Sequence, residues 1–230
     1  MKSHELSAIW IPNRDCLIEQ GEHEAIRIRL HRALSWLKRA EECDADDYDG
    51  RVIFSWIALN SLYGESATPG VDQDKEWQVR AAFLEAMVEG DANGRIQSWL
   101  KPMRSQCDRI LSEEHLYAFY WSDPSPEQAR RARSTPRTVG RHYHDREEVI
   151  KVLLPMIDRI SLLRNQLMHG LATCGSSVNR HIVEPCADLI EGLVGVLLQM
   201  IIEDGLWECE EAWDPVPYPP SEPVMRRDGS

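Results

Sequence analysis

The chain lacks an apolar run long enough to cross a bilayer; its longest, between Leu193 and Ile202, falls well short, and no membrane partner is expected. The opening Met1-Lys2-Ser3-His4-Glu5 has no apolar h-region, so no secretory signal is expected. Six cysteines (Cys16, Cys43, Cys107, Cys174, Cys186 and Cys209) form no C-x-x-C pair. A disulfide framework belongs to small secreted chains, so reduced thiols and a cytoplasmic setting are expected. Absent too are H-E-x-x-H, the phosphate-loop and dinucleotide glycine patterns, and any carboxylate/histidine cluster at ligand spacing. No metal or cofactor is therefore expected. There is no internal repeat and no convincing β alternation.

What remains is a helical pattern with an uneven charge. The 230 residues are 43% hydrophobic and 28% charged, enough for one core and one domain over residues 1–213. After Trp213 the chain reads Asp-Pro-Val-Pro-Tyr-Pro-Pro-Ser-Glu-Pro, so residues 214–230 are expected to be a disordered tail. A net charge of −12 argues against a general nucleic-acid coat protein, because affinity for phosphate comes from Lys and Arg. Acids gather at Glu41–Asp49 and Glu203–Asp214. Residues 124–144 instead carry Arg130, Arg131, Arg133, Arg137 and Arg141 against the single acid Glu127. Such an arm on an acidic body can hold an RNA backbone; a solvated loop is the alternative.

Apolar spacing predicts helices over Glu22–Ala40, Arg51–Tyr63 (stopped by Gly64), Trp77–Val88, Arg95–Leu111 with a break at Pro102, Arg146–His169 and Val178–Asp204. Residues 122–144, with Pro124, Pro126 and Pro136, read as a loop or mobile insertion within a larger one at about 112–144. In the Arg146–His169 helix, Val149, Leu153, Met156, Ile160, Leu163 and Leu167 form a stripe within roughly 40° of one line. Pro155 should kink or restart that helix. Asn165 and His169 point nearly opposite to the stripe, and Arg164 lies on its flank. Leu154 and Leu162 share the outer side, which favours a partner helix there over plain solvent.

The stretch Leu163-Arg164-Asn165-Gln166-Leu167-Met168-His169-Gly170 resembles the R-x(4–6)-H signature of HEPN domains. The block Phe54-Ser55-Trp56-Ile57-Ala58-Leu59-Asn60-Ser61-Leu62-Tyr63-Gly64 is similar to the second-helix pattern of the Apea-like HEPN group. Spacing alone does not discriminate, since Arg137/His142, Arg137/His144 and Arg109/His115 also fit. Context does: Arg164 is followed by a polar residue, preceded by a long apolar helix and closed by Gly170. The resemblance implies an all-α, HEPN-type helical bundle with extra helices and a Pro/Arg-rich insertion. It also implies a metal-independent endoribonuclease with Arg164, Asn165 and His169 as catalytic residues at a homodimer seam. A toxin or phage-defence setting, with an antitoxin or defence-system partner, follows from the same resemblance. Toxins of this group often carry a tyrosine two positions after the histidine as the residue that an antitoxin modifies. Leu171 stands there instead, which puts that route in doubt.

The residue types suit the chemistry. Histidine exchanges protons near neutrality, and arginine offers a fixed fork of donors to phosphate oxygens. Asparagine can orient the phosphate or the imidazole. Asn60, on the second-helix block, either supports the site or makes a hydrogen bond within the helix pair. His142 and His144 are candidates for RNA contact, with a solvated loop as the alternative. The rival to catalysis is a non-catalytic HEPN-like interaction module that keeps the fold and loses the chemistry.

Overall fold

The structure, a computed structural model, describes residues 1–64, 73–175, 180–209 and 213. The elements in chain order are α1 (Ser3–Gln20), α2 (Glu24–Glu41), α3 (Tyr48–Tyr63), α4 (Gln73–Gly90), α5 (Arg95–Leu100), α6 (Arg104–Ser112), α7 (Ala118–Ser122), α8 (Pro126–Val139), α9 (Ile150–Met168) and α10 (Arg180–Glu203). Short 3-10 turns lie at Glu114–Leu116, His142–His144 and Leu206–Glu208. No strand occurs among the described residues, so the chain is all-α. The expected tail, residues 214–230, lies outside them.

Local chemistry sets most boundaries. Gly21 takes a left-handed φ of 72° and closes α1, a conformation that costs glycine little. The Asp47 side chain caps α3 by accepting from Gly50 N at 2.9 Å. As expected at Pro102, the Arg95–Leu111 pattern is broken, into α5 and α6. Pro155 falls in the second turn of α9, and the helix continues through it.

One helix was not anticipated, and one expectation fails. Residues 3–20 form a full helix whose apolar positions show almost no one-sided bias in sequence; Leu6, Trp10 and Leu17 nonetheless bury against the bundle. Residues 126–139 are a helix, not a loop. Pro126 sits in its first turn, where a missing N–H costs nothing, and Ser125 caps it by accepting from Gln128 N. Ala129, Ala132 and Val139 are buried, and the helix packs on α6.

The core is built around α10. Leu189, Ile190, Leu193, Val194, Leu197, Leu198 and Ile201 are fully buried, and α10 touches α1, α2, α3, α5, α6 and α9. The run from Leu193 to Ile202 understates this helix: His181–Glu203 is long and apolar enough to cross a membrane, contrary to the reading of the sequence, but 67% of its most apolar window is buried inside the bundle. Two buried arginines finish helix ends. Arg29 on α2 donates to Leu62 O and Gly64 O at 3.0 and 3.1 Å, closing α3. Arg159 on α9 is 4% exposed and donates to Leu111 O at 3.0 Å, closing α6. A cation at a helix C-terminus meets both the orphan carbonyls and the negative end of the dipole.

With α10 as the hub, Leu197→Ala should destabilise the protein by about 2–5 kcal/mol in urea unfolding, with helical circular dichroism retained below the transition. A loss under about 1 kcal/mol would mean that α10 is not the centre of the fold.

Candidate functional site

Helix α9 places the candidate residues at its last turn. Of the expected stripe, Val149, Leu153, Met156, Ile160 and Leu163 are buried and Leu167, its last member, is half-buried. The buried arc is wider than the stripe, because Val152, Ile157 and Arg159 are buried as well. The outer side is partly roofed by α4. Arg80 on α4 donates to Asp158 at 2.8 Å, and Glu76 accepts from Arg164 at 2.9 Å. Leu154 packs against the core, and Leu162 is half-buried. At Asp158 and Arg164 the helix that meets α9 comes from the same chain.

Arg164 is held from two directions. Its guanidinium carbon lies 4.9 Å from the centre of the Trp56 ring, and Arg80 lies over the same ring at 5.5 Å. A flat guanidinium on an indole gains from both dispersion and the ring quadrupole. Arg164 Nε is buried without a hydrogen-bond partner among the described residues, as is Trp56 Nε1. The Arg164–Glu76 pair is not sealed, with side-chain exposures of 20% and 43%.

Asn165 is half-buried and its carbonyl accepts from His169 N at 3.0 Å, closing the last turn. His169 caps α9 and is exposed; Gly170 follows with a left-handed φ of 69°. Met168 and Leu171 beside it are 58% and 78% exposed, an apolar edge at the same helix end. The three catalytic candidates thus lie within the last two turns and the C-cap of α9, with Arg164 facing inward to Trp56 and His169 exposed.

Asn60 reaches this cluster indirectly. Its Oδ1 accepts from Tyr63 OH at 2.5 Å, a bond inside α3 itself and not across a pair of helices. Burial pushes the Tyr63 phenol up to about 12, with Arg80 and Arg164 nearby acting the other way. Tyr63 is thereby kept protonated, as a donor to Asn60, throughout the physiological range.

The arginines of residues 130–141 are ordered on a helix. Arg130, Arg133, Arg137 and Arg141 are exposed and spaced 3, 4 and 4 apart, so they form one line along α8 and its helical continuation through Gly140. Arg131 lies off that line and pairs with Glu127 at 2.7 Å. Arg133 pairs with Glu114 at 2.6 Å. His142 is buried with Nδ1 2.7 Å from Glu148, a structural tie rather than a loop contact, whereas His144 is exposed. An open groove of about 640 Å³ lies between α6 and α8, lined by Arg104, Ser105, Asp108, Arg109, Ser112 and Pro136.

Sequence reasoning missed the neighbourhood of Glu113. His115 Nδ1 lies 2.9 Å from its Oε1, and His181 Nε2 lies 3.4 Å from its Oε2. Burial raises the Glu113 carboxyl, but these hydrogen bonds outweigh it and hold the group below its ordinary value. A second missed feature is the aromatic run Tyr117-Ala118-Phe119-Tyr120-Trp121. Its density was the available signal, since one helical turn cannot turn all of those rings inward. No group of three or more His, Cys, Asp or Glu side chains among the described residues is arranged to hold a metal ion.

No family model, curated protein or solved structure matches the chain.

Arg164→Ala removes the stack on Trp56 and leaves Glu76 without its partner. It should lower stability by about 1–2 kcal/mol, measured by urea unfolding. An unchanged midpoint would show that Arg164 is not part of the packing of α4 on α9.

Proposed function

We propose that the chain is a metal-independent endoribonuclease of HEPN type, working from Arg164, Asn165 and His169. The observation that carries this reading is the exposed His169 at the C-cap of α9, one turn after Asn165 and within two turns of Arg164. The chemistry follows from the residue types. An imidazole accepts the proton of a ribose 2′-hydroxyl as its oxygen attacks the adjacent phosphorus. The bond from phosphorus to the 5′-oxygen breaks, and a second, protonated imidazole donates to the departing oxygen. Products are a 2′,3′-cyclic phosphate and a 5′-hydroxyl. Arg164 supplies positive charge toward the crowded phosphate, and Trp56 with Glu76 hold its plane still. Binding of the phosphate would compete with Glu76 for the guanidinium.

One copy of the motif offers one imidazole, so the reading includes a two-fold homodimer that brings two His169 side chains into one cleft. Met168 and Leu171, exposed beside His169, supply apolar surface for that seam. A cytoplasmic toxin or defence role, with an antitoxin or other defence-system protein as partner, belongs to the same proposal.

A specific observation favours the second reading, a helical interaction module without catalysis. Arg164 already has an ion pair and a ring to stack on, and it packs α4 to α9. A structural arginine would look the same.

Incubating the pure protein with mixed RNA in EDTA separates the two. Cleavage to 2′,3′-cyclic ends is expected, and His169→Ala should abolish it while helical circular dichroism stays intact. Activity that survives His169→Ala, or that disappears with EDTA, would overturn the ribonuclease reading.

Leu171→Glu tests the seam. It should give a folded monomer by sedimentation and lose cleavage along with assembly. A wild-type monomer at micromolar concentration that still cuts RNA would refute the paired site.

A further inference from the structure

We propose that the arginine line of α8 and the exposed rings of α7 form a track for single-stranded RNA that ends at His169. The proposal rests on the ribonuclease reading and adds to it the form of the substrate and the residues that hold it.

The first support is α7 itself. It buries none of its residues, and Phe119 and Trp121 are 64% and 56% exposed. Large rings left in water at neighbouring positions mark a surface that something covers. Trp121 is nevertheless fixed: its Nε1 donates to His115 O at 2.9 Å. The segment beneath is fixed too, because the Arg159 guanidinium lies 4.3 Å from the centre of the Tyr117 ring. Trp121, which also meets the His115 and Tyr120 rings, is a fixed surface for stacking, and Phe119, two positions earlier, offers a second ring on another side of α7.

The second support is the link to the catalytic turn. Gln166 Nε2 donates to His115 O at 3.1 Å, so one carbonyl oxygen holds both the Trp121 indole and α9. Gln166 and His169 are neighbours on one helix face, their Cβ atoms about 5–6 Å apart at this spacing. A base stacked on Trp121 would therefore lie close to the His169 turn.

The third support is charge. Arg130, Arg133, Arg137 and Arg141 line up over 11 residues, about 16 Å of helix, on a body whose net charge is −12. Arg133 joins α8 to the turn before α7 through Glu114. A cationic line beside an aromatic platform matches a phosphate backbone with its bases turned aside. Only unpaired bases can offer their faces to protein rings, so the strand must be single.

The test measures binding of a fluorescein-labelled single-stranded 12-nucleotide RNA to the full-length protein by anisotropy. His169→Ala serves as background so that the probe survives. Phe119→Ala with Trp121→Ala should weaken affinity by about 10-fold or more with little change in salt dependence. Arg130→Ala with Arg137→Ala should weaken it and reduce the logarithmic salt slope by about 1.4, while Arg131→Ala, off the line, changes little. Duplex RNA of the same sequence should bind more weakly than the single strand. Equal duplex binding, or unchanged affinity in the ring variants, overturns the track even if the wild type cuts RNA. A shift of the ring variants from dimer to monomer also overturns it, making this face a self-association surface. Binding that follows the track variants without any cleavage by the wild type would instead sink the ribonuclease reading and leave the track standing.

Discussion

Everything in this fold is arranged to keep α10 dry. Its residues from Leu189 to Ile202 are almost continuously buried, so a single apolar stripe cannot describe it; it needs neighbours on all sides. The bundle supplies them from α1, α2, α3, α5, α6 and α9. Burial of that surface is the dominant favourable contribution, and it is non-directional. Directional contacts then decide which helix lies where.

Arginine makes most of those directional choices. Arg29 and Arg159 close the ends of α3 and α6, and Arg51 on α3 reaches Asp188 and Glu191 on α10 at 2.8 and 2.9 Å. Each guanidinium satisfies several acceptors with one planar group, which offsets part of the cost of taking a charge out of water. Burial lowers the Arg159 pKa to about 10, still far above neutrality, so the cation persists where it is needed. Because Arg159 and Arg164 lie on one helix, α9 connects the bundle, the segment bearing α7, and the turn that ends at His169.

The candidate site was partly legible. Arg164, Asn165 and His169 do gather at the C-terminal end of α9, because closeness along the axis is a local property of any helix. Their surroundings were not legible. Glu76 lies 88 residues from Arg164, and no local rule selects it over the other acids of the chain. The outer face of α9 illustrates the same limit: Asp158 and Arg164 meet α4 through Arg80 and Glu76, which no local rule picks out. For residues 126–139, two prolines and the arginines outweighed the small apolar periodicity of Ala129, Ala132 and Val139. The end position of Pro126 and the surface of α6 reversed that balance.

By itself the sequence determined the all-α class, most helix positions, the break at Pro102 and the turn that carries the motif. All of these depend on neighbours within about one or two helical turns, where sequence separation and spatial separation coincide. Tertiary structure alone decided that α4 roofs α9, that Arg164 faces Trp56 while His169 faces out, and that the arginines of α8 stand in line beside exposed rings. Those outcomes depend on which buried surfaces meet. That is settled by close packing of the whole core at once, and no window of residues contains it.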